Sequence, residues 1–263
     1  MKFNTQLPDD EVNVTKSSAL ADLTWMLGGL SAIVLVLYFG FGFLVEYGVK
    51  NISVEQEQKF FSYVNFNEIL QEEEKDANQS LKLQAILDAT KECSKTSYNF
   101  KLNIPNTDEI NAFAVPGGLI VINQALIDNS TSENEIFFAL AHEIGHFNNR
   151  DHLEGVGRGF VALAITTMIG FSEASDLLDT SLNFSESHFS QETESDADLF
   201  AVDLMNCYYG HVNGSTDFFK HLPENDNIQL FSSHPATLKR IEKIEAYIAE
   251  NGYIKKDKID FTY

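Results

Sequence analysis

The sequence has little cysteine, and its two cysteines are far apart. Cys93 and Cys207 lie more than a hundred residues from each other and belong to no C-x-x-C pair. This spacing excludes a zinc knuckle and a thioredoxin-type redox motif, both of which need paired cysteines. We expect two buried thiols. The alternative is a disulfide, which could form if the domain faces an oxidising compartment.

Basic residues are scarce as well. The chain has 18 Lys and Arg against 39 Asp and Glu, which gives a formal net charge of -21 at pH 7. Such a charge repels the phosphates of nucleic acids and the head groups of anionic lipids, so we expect no nucleic-acid partner. The sequence also has no internal repeat, and its 263 residues with 44% hydrophobic content suit one packed domain with short additional elements.

One long segment contains no charged residue. It runs from Leu23 to Val45 with the sequence LTWMLGGLSAIVLVLYFGFGFLV. A helix of this length would cover the hydrocarbon core of a bilayer, which is about 30 Å thick. Trp25 and Tyr47 lie near its ends, where aromatic residues favour the membrane interface. We therefore predict one transmembrane helix over residues 23–47, with a buried core helix as the alternative.

The residues before this segment do not resemble the start of a signal peptide. The N-terminal tail, residues 1–22, leans acidic, and no small-residue cleavage site follows the apolar run. An uncleaved membrane anchor is therefore favoured. Its orientation is weakly encoded, because Lys2 and Lys16 before the helix are matched by Lys50 and Lys59 after it.

The rest of the chain divides by composition. Charged residues at Gln71–Ser80 indicate a juxtamembrane linker over residues 48–80, followed by a compact domain over 81–250 and a C-terminal tail over 251–263. The residue pattern of the tail does not decide whether it packs against the domain or is disordered. The apolar stretch Gly159–Phe171 is too short to span a bilayer, so we expect a core helix there, or a segment that touches the membrane surface.

The beginning of the compact domain shows two kinds of periodicity. One helical face carries Leu83, Ile86, Leu87 and Thr90, whereas Asn99–Ile104 alternates in the way of a strand. A helix followed by a strand is the predicted order.

A second helix carries a pair of histidines. Ser132 and Glu135 form a capping-box pattern immediately before the apolar run IFFALA, which predicts a helix start. His142 and His146 then lie one turn apart on the same helical face, where both imidazoles can bind one zinc ion. Glu143 follows the first histidine directly and is predicted to be the general base.

A third metal ligand has to come from another segment. Four acidic residues compete between Glu192 and Asp198, at the start of an apolar helical pattern. We prefer Glu194 as the ligand and Asp198 as the carboxylate that orients a ligating histidine, because they are four residues apart. The alternative is an acidic, solvated first turn favoured by the helix dipole.

This ligand set predicts one Zn²⁺ per chain. Three protein ligands leave one tetrahedral position for water, whose pKa the cation lowers towards neutrality, so that Glu143 can take its proton. A purely structural zinc site is disfavoured, because such sites usually have four protein ligands.

Together the motifs resemble those of the membrane-associated gluzincin metalloproteases that include the CAAX prenyl endopeptidases and the HtpX-type stress proteases. Asn111–Gly118 reads NAFAVPGG, Glu194–Asp198 fits E-x-x-A-D, and His234 to Ile241 fits H-P-x-x-x-x-R-I. The resemblance covers residues 111–241 in the order that the family has.

The resemblance implies an α+β fold: a mainly helical zincin-type metalloprotease domain with a small sheet. It implies that Asn111, Ala112, Phe113 and Ala114 form the edge strand along which an extended substrate pairs, although an ordinary hairpin is the alternative. It also implies that His234 lies near the active site, where it stabilises the transition state or occludes the metal. Packing at a helix start beside Pro235 is the simpler reading.

The chain departs from the multi-span members of this family. The 47 residues between His146 and Glu194 hold one short apolar stretch and no further transmembrane helix. We therefore expect a single-anchor zinc metalloendopeptidase that hydrolyses polypeptides in membrane or envelope protein quality control. It would lie in a bacterial inner membrane with its domain on the periplasmic side. The alternative function is a catalytically occluded or chaperone-like binding protein that retains the fold.

Overall fold

The computed structural model describes residues 18–62, 76–153, 189–220 and 238–262. The predicted core helix at 159–171 lies outside these residues, as does most of the predicted N-terminal tail. The helices and strands in chain order are α1 (Ala19–Asn51), α2 (Val54–Phe61), α3 (Ala77–Ala89), α4 (Lys91–Ser94), β1 (Lys101–Asn103), β2 (Ala112–Val115), β3 (Leu119–Ile122), α5 (Gln124–Asn129), α6 (Glu133–Asn149), α7 (Gln191–Tyr209), α8 (Asp217–Lys220) and α9 (Leu238–Asn251).

Helix α1 contains the predicted membrane segment. It begins after Ser18, whose hydroxyl caps the first turn by accepting a bond from the backbone N–H of Ala21 at 3.1 Å. The stretch Ala19–Gly40 has a mean hydropathy of 1.9, and its residues are exposed, whereas a core helix would be largely buried. By length and composition this helix can cross a membrane.

The segment predicted as a linker, residues 48–80, contains ordered structure. Helix α2 lies in it and contacts the domain, because the Gln58 amide donates to the backbone oxygens of Asn99 at 3.0 Å and Gly117 at 3.2 Å. Helix α3 starts after Asp76, whose carboxylate accepts the N–H of Asn78 at 2.8 Å. The division of the chain into domains stays a prediction, but part of this segment packs against the compact domain.

The predicted helix-then-strand order is confirmed. Leu83, Ile86 and Leu87 are buried on one face of α3, and β1 follows. The described strands form one sheet in the order β1-β3-β2, with β1 parallel and β2 antiparallel to β3. Strand β2 is therefore an edge strand of this sheet. Gly117 and Gly118 connect β2 to β3 with φ near +92° and +91°, values that glycine adopts without strain.

Helix α6 begins where the capping pattern predicts. The Ser132 hydroxyl accepts the N–H of Glu135 at 3.3 Å, as in a capping box. The Glu135 carboxylate turns to the N–H and hydroxyl of Thr131 at 2.8 and 2.9 Å, one residue earlier than the box requires. The helix start is thus capped by two reciprocal bonds, but the Glu135 side chain bonds the N–H of Thr131 instead of the N–H of Ser132.

The core lies where α6 packs against α7 and against the sheet. Every residue of α6 from Glu133 to Phe147 is buried, because its neighbours cover it on several sides. The largest fully buried side chains are Phe137, Phe138, Phe147, Leu83, Leu87, Ile120, Ile122, Leu126, Ile136, Leu140, Ile144 and Met205. The architecture is α+β, mainly helical with a small sheet, as the sequence predicts.

The cysteines correct one expectation. Cys93 in α4 and Cys207 near the end of α7 form a disulfide, with their Cα atoms 5.8 Å apart. The prediction of two buried thiols was wrong, and the alternative is observed. The pairing depends on the packing of α4 against α7, which brings together residues 114 positions apart in sequence.

Much of the C-terminal tail is ordered against the domain. The backbone oxygen of Ile259 accepts the N–H of Glu133 at 2.8 Å, and the N–H of Ile259 donates to the Asn134 side chain at 2.8 Å. Farther back, the oxygen of Ile254 accepts the N–H of Val212 at 3.0 Å. The tail therefore covers the beginning of α6 and the turn that follows α7.

Loss of the disulfide should destabilise the domain. Cys93→Ser with Cys207→Ser is expected to lower the free energy of unfolding by about 2–5 kcal/mol, because the bridge restricts a long loop in the unfolded chain. The measurement is denaturant unfolding of the purified protein with and without reductant. Reductant should shift the wild type towards the variant and leave the variant unchanged. A wild type that is insensitive to reductant under unfolding conditions would contradict the prediction.

Candidate metal centre

Two helices bring three potential metal ligands together. Helix α6 presents His142 and His146 with their Nε2 atoms 3.1 Å apart. The first turn of α7 adds Glu194, whose carboxylate oxygens lie 3.6 Å from Nε2 of His142 and 3.5 Å from Nε2 of His146. All three residues are buried, and their ligand atoms lie within 4.8 Å of one another. This group could hold a metal ion.

The spacing fits a small tetrahedral cation. Ligand atoms about 2.0–2.1 Å from Zn²⁺ at tetrahedral angles would lie about 3.3 Å from one another. The two Nε2 atoms are 3.1 Å apart, and each lies 3.5 or 3.6 Å from a different oxygen of the Glu194 carboxylate, which is close to this value. Two imidazole nitrogens and one carboxylate are also a donor set that occurs in catalytic zinc sites.

Each histidine has a carboxylate behind it. Nδ1 of His142 lies 3.0 Å from Oδ1 of Asp198, and Nδ1 of His146 lies 2.9 Å from Oδ2 of Asp151. Such contacts hold Nδ1 as the N–H side of the ring and leave Nε2 as the metal ligand. The structure thus places Asp198 beside His142, where a ligand-orienting carboxylate would lie. Asp151 was missed by the sequence reasoning; its one signal is its position just past the C-terminus of α6.

The charges around the histidines favour a cation at this position. Burial disfavours the protonated ring of His142, but hydrogen bonds with Asp198 and Glu194 outweigh it and raise its pKa to about 9. Burial likewise opposes protonation of His146, and contacts with Asp151 and Glu194 raise its pKa. The carboxylates that favour a positive charge on the rings would also favour a divalent cation bound between them.

Arg240 from α9 completes the centre. Its Nε and Nη2 donate to the two carboxylate oxygens of Asp198 at 2.7 and 2.6 Å, and its Nη1 lies 2.7 Å from Oε2 of Glu194. Burial would raise the pKa of Asp198, but the bonds from Arg240 and His142 hold it below its ordinary value. Arg240 is part of the motif that suggested the family resemblance, but no role was predicted for it.

A small cleft lies beside His142. Glu143 is buried at its wall, next to His142. Ala112 of the edge strand β2 also lines the cleft, so the cleft lies between α6 and β2. The lining residues are Ala112, Phe138, Ala139, His142, Glu143, Phe218, Phe219 and Arg240. One of the two histidines, His142, the neighbouring Glu143 and Ala112 of the edge strand therefore line the same cleft.

The other predicted site residues divide into two groups. Asn111, immediately before β2, is buried, as are Ala112 and Ala114 in the strand; Phe113 is half-buried, and β2 packs against α6. His234 lies outside the described residues, so its predicted position near the site stays a prediction.

Comparison with known proteins decides the family. Residues 73–248, more than half of the chain, match the model of Peptidase family M48. This chain belongs to peptidase family M48. The resemblance predicted from the sequence is thereby confirmed at the level of M48 metallopeptidases, and the narrower assignment to CAAX or HtpX types stays a prediction.

Several M48 relatives share part of the chain. Metalloprotease LoiP of Escherichia coli is 29% identical over 154 residues, covering 55% of this chain and 61% of that protein. Mitochondrial metalloendopeptidase OMA1 of Schizosaccharomyces pombe is 24% identical over 169 residues, or 61% of this chain and 50% of that protein. The beta-barrel assembly-enhancing protease of Escherichia coli is 45% identical over 56 residues, 21% of this chain and 11% of that protein. The matched part is thus less than two thirds of each relative.

Gly145 allows the M48 ligand helices to approach each other. A Cβ at this position would lie 3.0 Å from the Cα, 3.1 Å from the backbone oxygen and 3.3 Å from the Cβ of Ala197. Two of these neighbours are backbone atoms of α7, so they can yield only if α7 moves. Because α7 carries Glu194, the absence of a side chain at Gly145 sets the distance between the histidines and their carboxylate ligand.

Gly145→Ala should therefore weaken metal binding. Displacement of Glu194 by a few tenths of an ångström is expected to lower zinc affinity by about 10- to 100-fold and stability by about 1–3 kcal/mol. Chelator competition and thermal unfolding measure the two effects. Asn148→Ala, on the exposed side of the same helix, should change neither. Unchanged zinc affinity in Gly145→Ala would show that α7 does not depend on this contact.

Proposed function

We propose that this M48 protein is a membrane-anchored zinc endopeptidase that hydrolyses polypeptides close to the membrane. The observation that carries the proposal is the buried group of His142, His146 and Glu194, spaced for a tetrahedral cation, with Glu143 beside it in a small cleft. A structural metal site would not need a cleft or an adjacent carboxylate.

The residues of the centre have separate roles in the proposed reaction. One Zn²⁺ per chain, held by the three ligands, would polarise the scissile carbonyl and supply an activated water. The Glu143 carboxylate would accept the proton of that water and pass it to the leaving amine. Asp198 and Asp151 would keep the two imidazoles oriented, and Arg240 would hold Asp198 and Glu194 in place.

The neighbouring strand suggests how a substrate is held. Strand β2 is an edge of the sheet and contributes Ala112 to the cleft, so an extended peptide pairing with it would pass the metal ligands. Hydrogen bonds between backbones select only weakly for the amino-acid sequence of the substrate. The aromatic rings of Phe138, Phe218 and Phe219 in the cleft would favour an apolar side chain next to the scissile bond.

This mode of recognition supports internal cleavage of many polypeptides. It fits a role in membrane or envelope protein quality control, where unfolded segments expose backbone and apolar side chains. Two relatives carry related names, a mitochondrial metalloendopeptidase and a beta-barrel assembly-enhancing protease.

The location of the domain outside the cytoplasm is part of the proposal. Helix α1 supports a membrane anchor, and the Cys93–Cys207 disulfide supports an oxidising compartment, because cytosolic thiols are kept reduced. A bacterial inner membrane with a periplasmic domain is consistent with both.

Glu143→Gln tests the mechanism. The full-length protein in detergent should retain stoichiometric zinc and lose casein cleavage by about 10²-fold or more, because the proton acceptor is removed without removing a ligand. Glu194→Ala should lose both zinc and cleavage. Glu192→Gln, exposed in the same turn as Glu194, should lose neither.

Two outcomes would contradict this mechanism. Full activity in Glu143→Gln would exclude it as the general base. A zinc-loaded wild type that cleaves no casein would favour the occluded or chaperone-like alternative.

A reporter fused after Tyr263 tests the orientation. Alkaline phosphatase at this position should be active in a bacterial host, because that enzyme needs the disulfides that form in the periplasm. A reporter that works only in the cytoplasm should be inactive at the same position. The reverse pattern of activities would place the domain in the cytoplasm.

A further inference from the structure

Helix α2 connects the membrane helix to the peptidase domain. Only Ile52 and Ser53 separate it from α1. Its start is fixed by a reciprocal cap, in which the Ser53 hydroxyl accepts the N–H of Gln56 at 3.2 Å and the Gln56 side chain accepts the N–H of Ser53 at 3.0 Å. The direction of α2 is therefore set directly after the membrane anchor.

Helix α2 buries one carboxylate in the domain. Glu57 has 0% of its surface exposed, whereas Glu55, Gln56 and Lys59 on the same helix are exposed. Oε1 lies 2.9 Å from Nε2 of His152 and accepts the N–H of Gly117 at 2.9 Å. Oε2 accepts the hydroxyl of Tyr98 and a bond from Nη2 of Arg150 at 3.2 Å. Four partners from three separate segments thus meet one side chain.

These contacts satisfy a charge that would otherwise be costly to bury. Burial alone would raise the pKa of Glu57, but the bond and charge of His152, the Tyr98 hydroxyl and the Gly117 N–H hold it below its ordinary value. The carboxylate is therefore ionised at neutral pH. A neutral side chain of the same size could keep some hydrogen bonds but not the charge that faces Arg150 and His152.

Two of the partners lie directly behind a metal ligand. Arg150 is the left-handed residue that ends α6, and Nδ1 of His152 lies 3.3 Å from the backbone oxygen of His146. Between them is Asp151, whose carboxylate lies 2.9 Å from Nδ1 of His146. Glu57 therefore holds the residues on both sides of the carboxylate that orients the His146 ring.

The remaining contacts fix the end of the edge strand. Besides the Glu57 bond to Gly117, Phe61 covers the same turn, since a Cβ on Gly117 would lie 2.7 Å from the Cβ of Phe61. The Gln58 amide would lie 2.8 Å from a Cβ on Gly118. The turn that follows β2 is thus shaped to receive α2.

We propose that Glu57 is a positioning residue of the peptidase, through which the juxtamembrane helix holds Asp151 against His146 and fixes the turn that ends the edge strand β2. This inference rests on the proposed function for its catalytic meaning. It assigns to α2, next to the membrane anchor, control over the alignment of a metal ligand and the substrate strand.

The test compares Glu57→Gln with Glu55→Gln in the full-length protein. Glu55 is exposed on the same helix and serves as the matched control. Zinc affinity by chelator competition, kcat and KM on casein-derived peptides, and thermal unfolding are measured at temperatures where both variants are folded. Glu57→Gln should bind zinc about tenfold more weakly and show a lower kcat, because outer contacts of ligating histidines have effects of this size. Glu55→Gln should behave as the wild type.

A double-mutant cycle separates positioning from general stability. If Glu57 acts through Asp151, Asp151→Asn should weaken zinc binding strongly in the wild type and much less in Glu57→Gln. Tyr98→Phe, which removes one bond and keeps the carboxylate, should give a smaller loss of zinc affinity and serves if Glu57→Gln does not fold.

The proposal is overturned if these variants lower only the unfolding temperature, or if the losses in zinc affinity from Glu57→Gln and Asp151→Asn simply add. A wild type that binds zinc without cleaving peptides would instead reject the proposed function. The zinc affinities of the variants would still decide the role of Glu57.

Discussion

The close approach of α6 and α7 is the constraint on which the rest of the domain depends. At Gly145 a side chain is missing, and Ala197 of the facing helix occupies that space. This contact lies one residue from His146 and three from Glu194, so the same geometry sets the helix packing and the spacing of the candidate metal ligands. The core around Ile144 and Met205 stabilises the same interface through apolar burial. A core that holds the helices together thus also brings the ligands to their spacing.

Buried charge is tolerated because it is arranged in closed groups. Glu194 and Asp198 are compensated by Arg240 on one side and by the histidines on the other. The carboxylate of Glu57 forms a second such group behind Asp151, about one helical turn beyond His146. Removal of one member of such a group leaves its partner buried and unpaired, which costs more than the contact itself contributes. The two groups meet at His146, whose ring contacts Asp151 and whose backbone oxygen faces His152.

Local patterns in the sequence predicted what depends on local structure. The spacing of His142 and His146 fixes their common helical face, and hydropathy alone located α1. The contacts of Arg240 and Glu57 could not be read in this way, because each depends on segments that are distant in sequence. Asp151 lies only five residues from His146, but it follows the end of α6, where helical spacing no longer fixes its position. The packing of α2 against the domain was not predicted, because the side chain it buries there is Glu57, the reverse of the apolar pattern that identifies a packed helix. The expectation for the two cysteines was wrong because their proximity follows from tertiary packing between residues that are distant in sequence.

The covering of α6 by the C-terminal tail has a consequence for the order of folding. The first turn of α6 makes two hydrogen bonds with Ile259, which lies 125 residues after Asn134 in the chain. During synthesis the helix that carries the histidines therefore emerges long before the residues that complete its N-terminus. Contacts of such high sequence separation slow folding and leave intermediates with incomplete packing. Until Ile259 has been synthesised, the N-terminus of the histidine helix lacks these two hydrogen bonds. The packing of the peptidase domain is therefore completed only at the end of its synthesis.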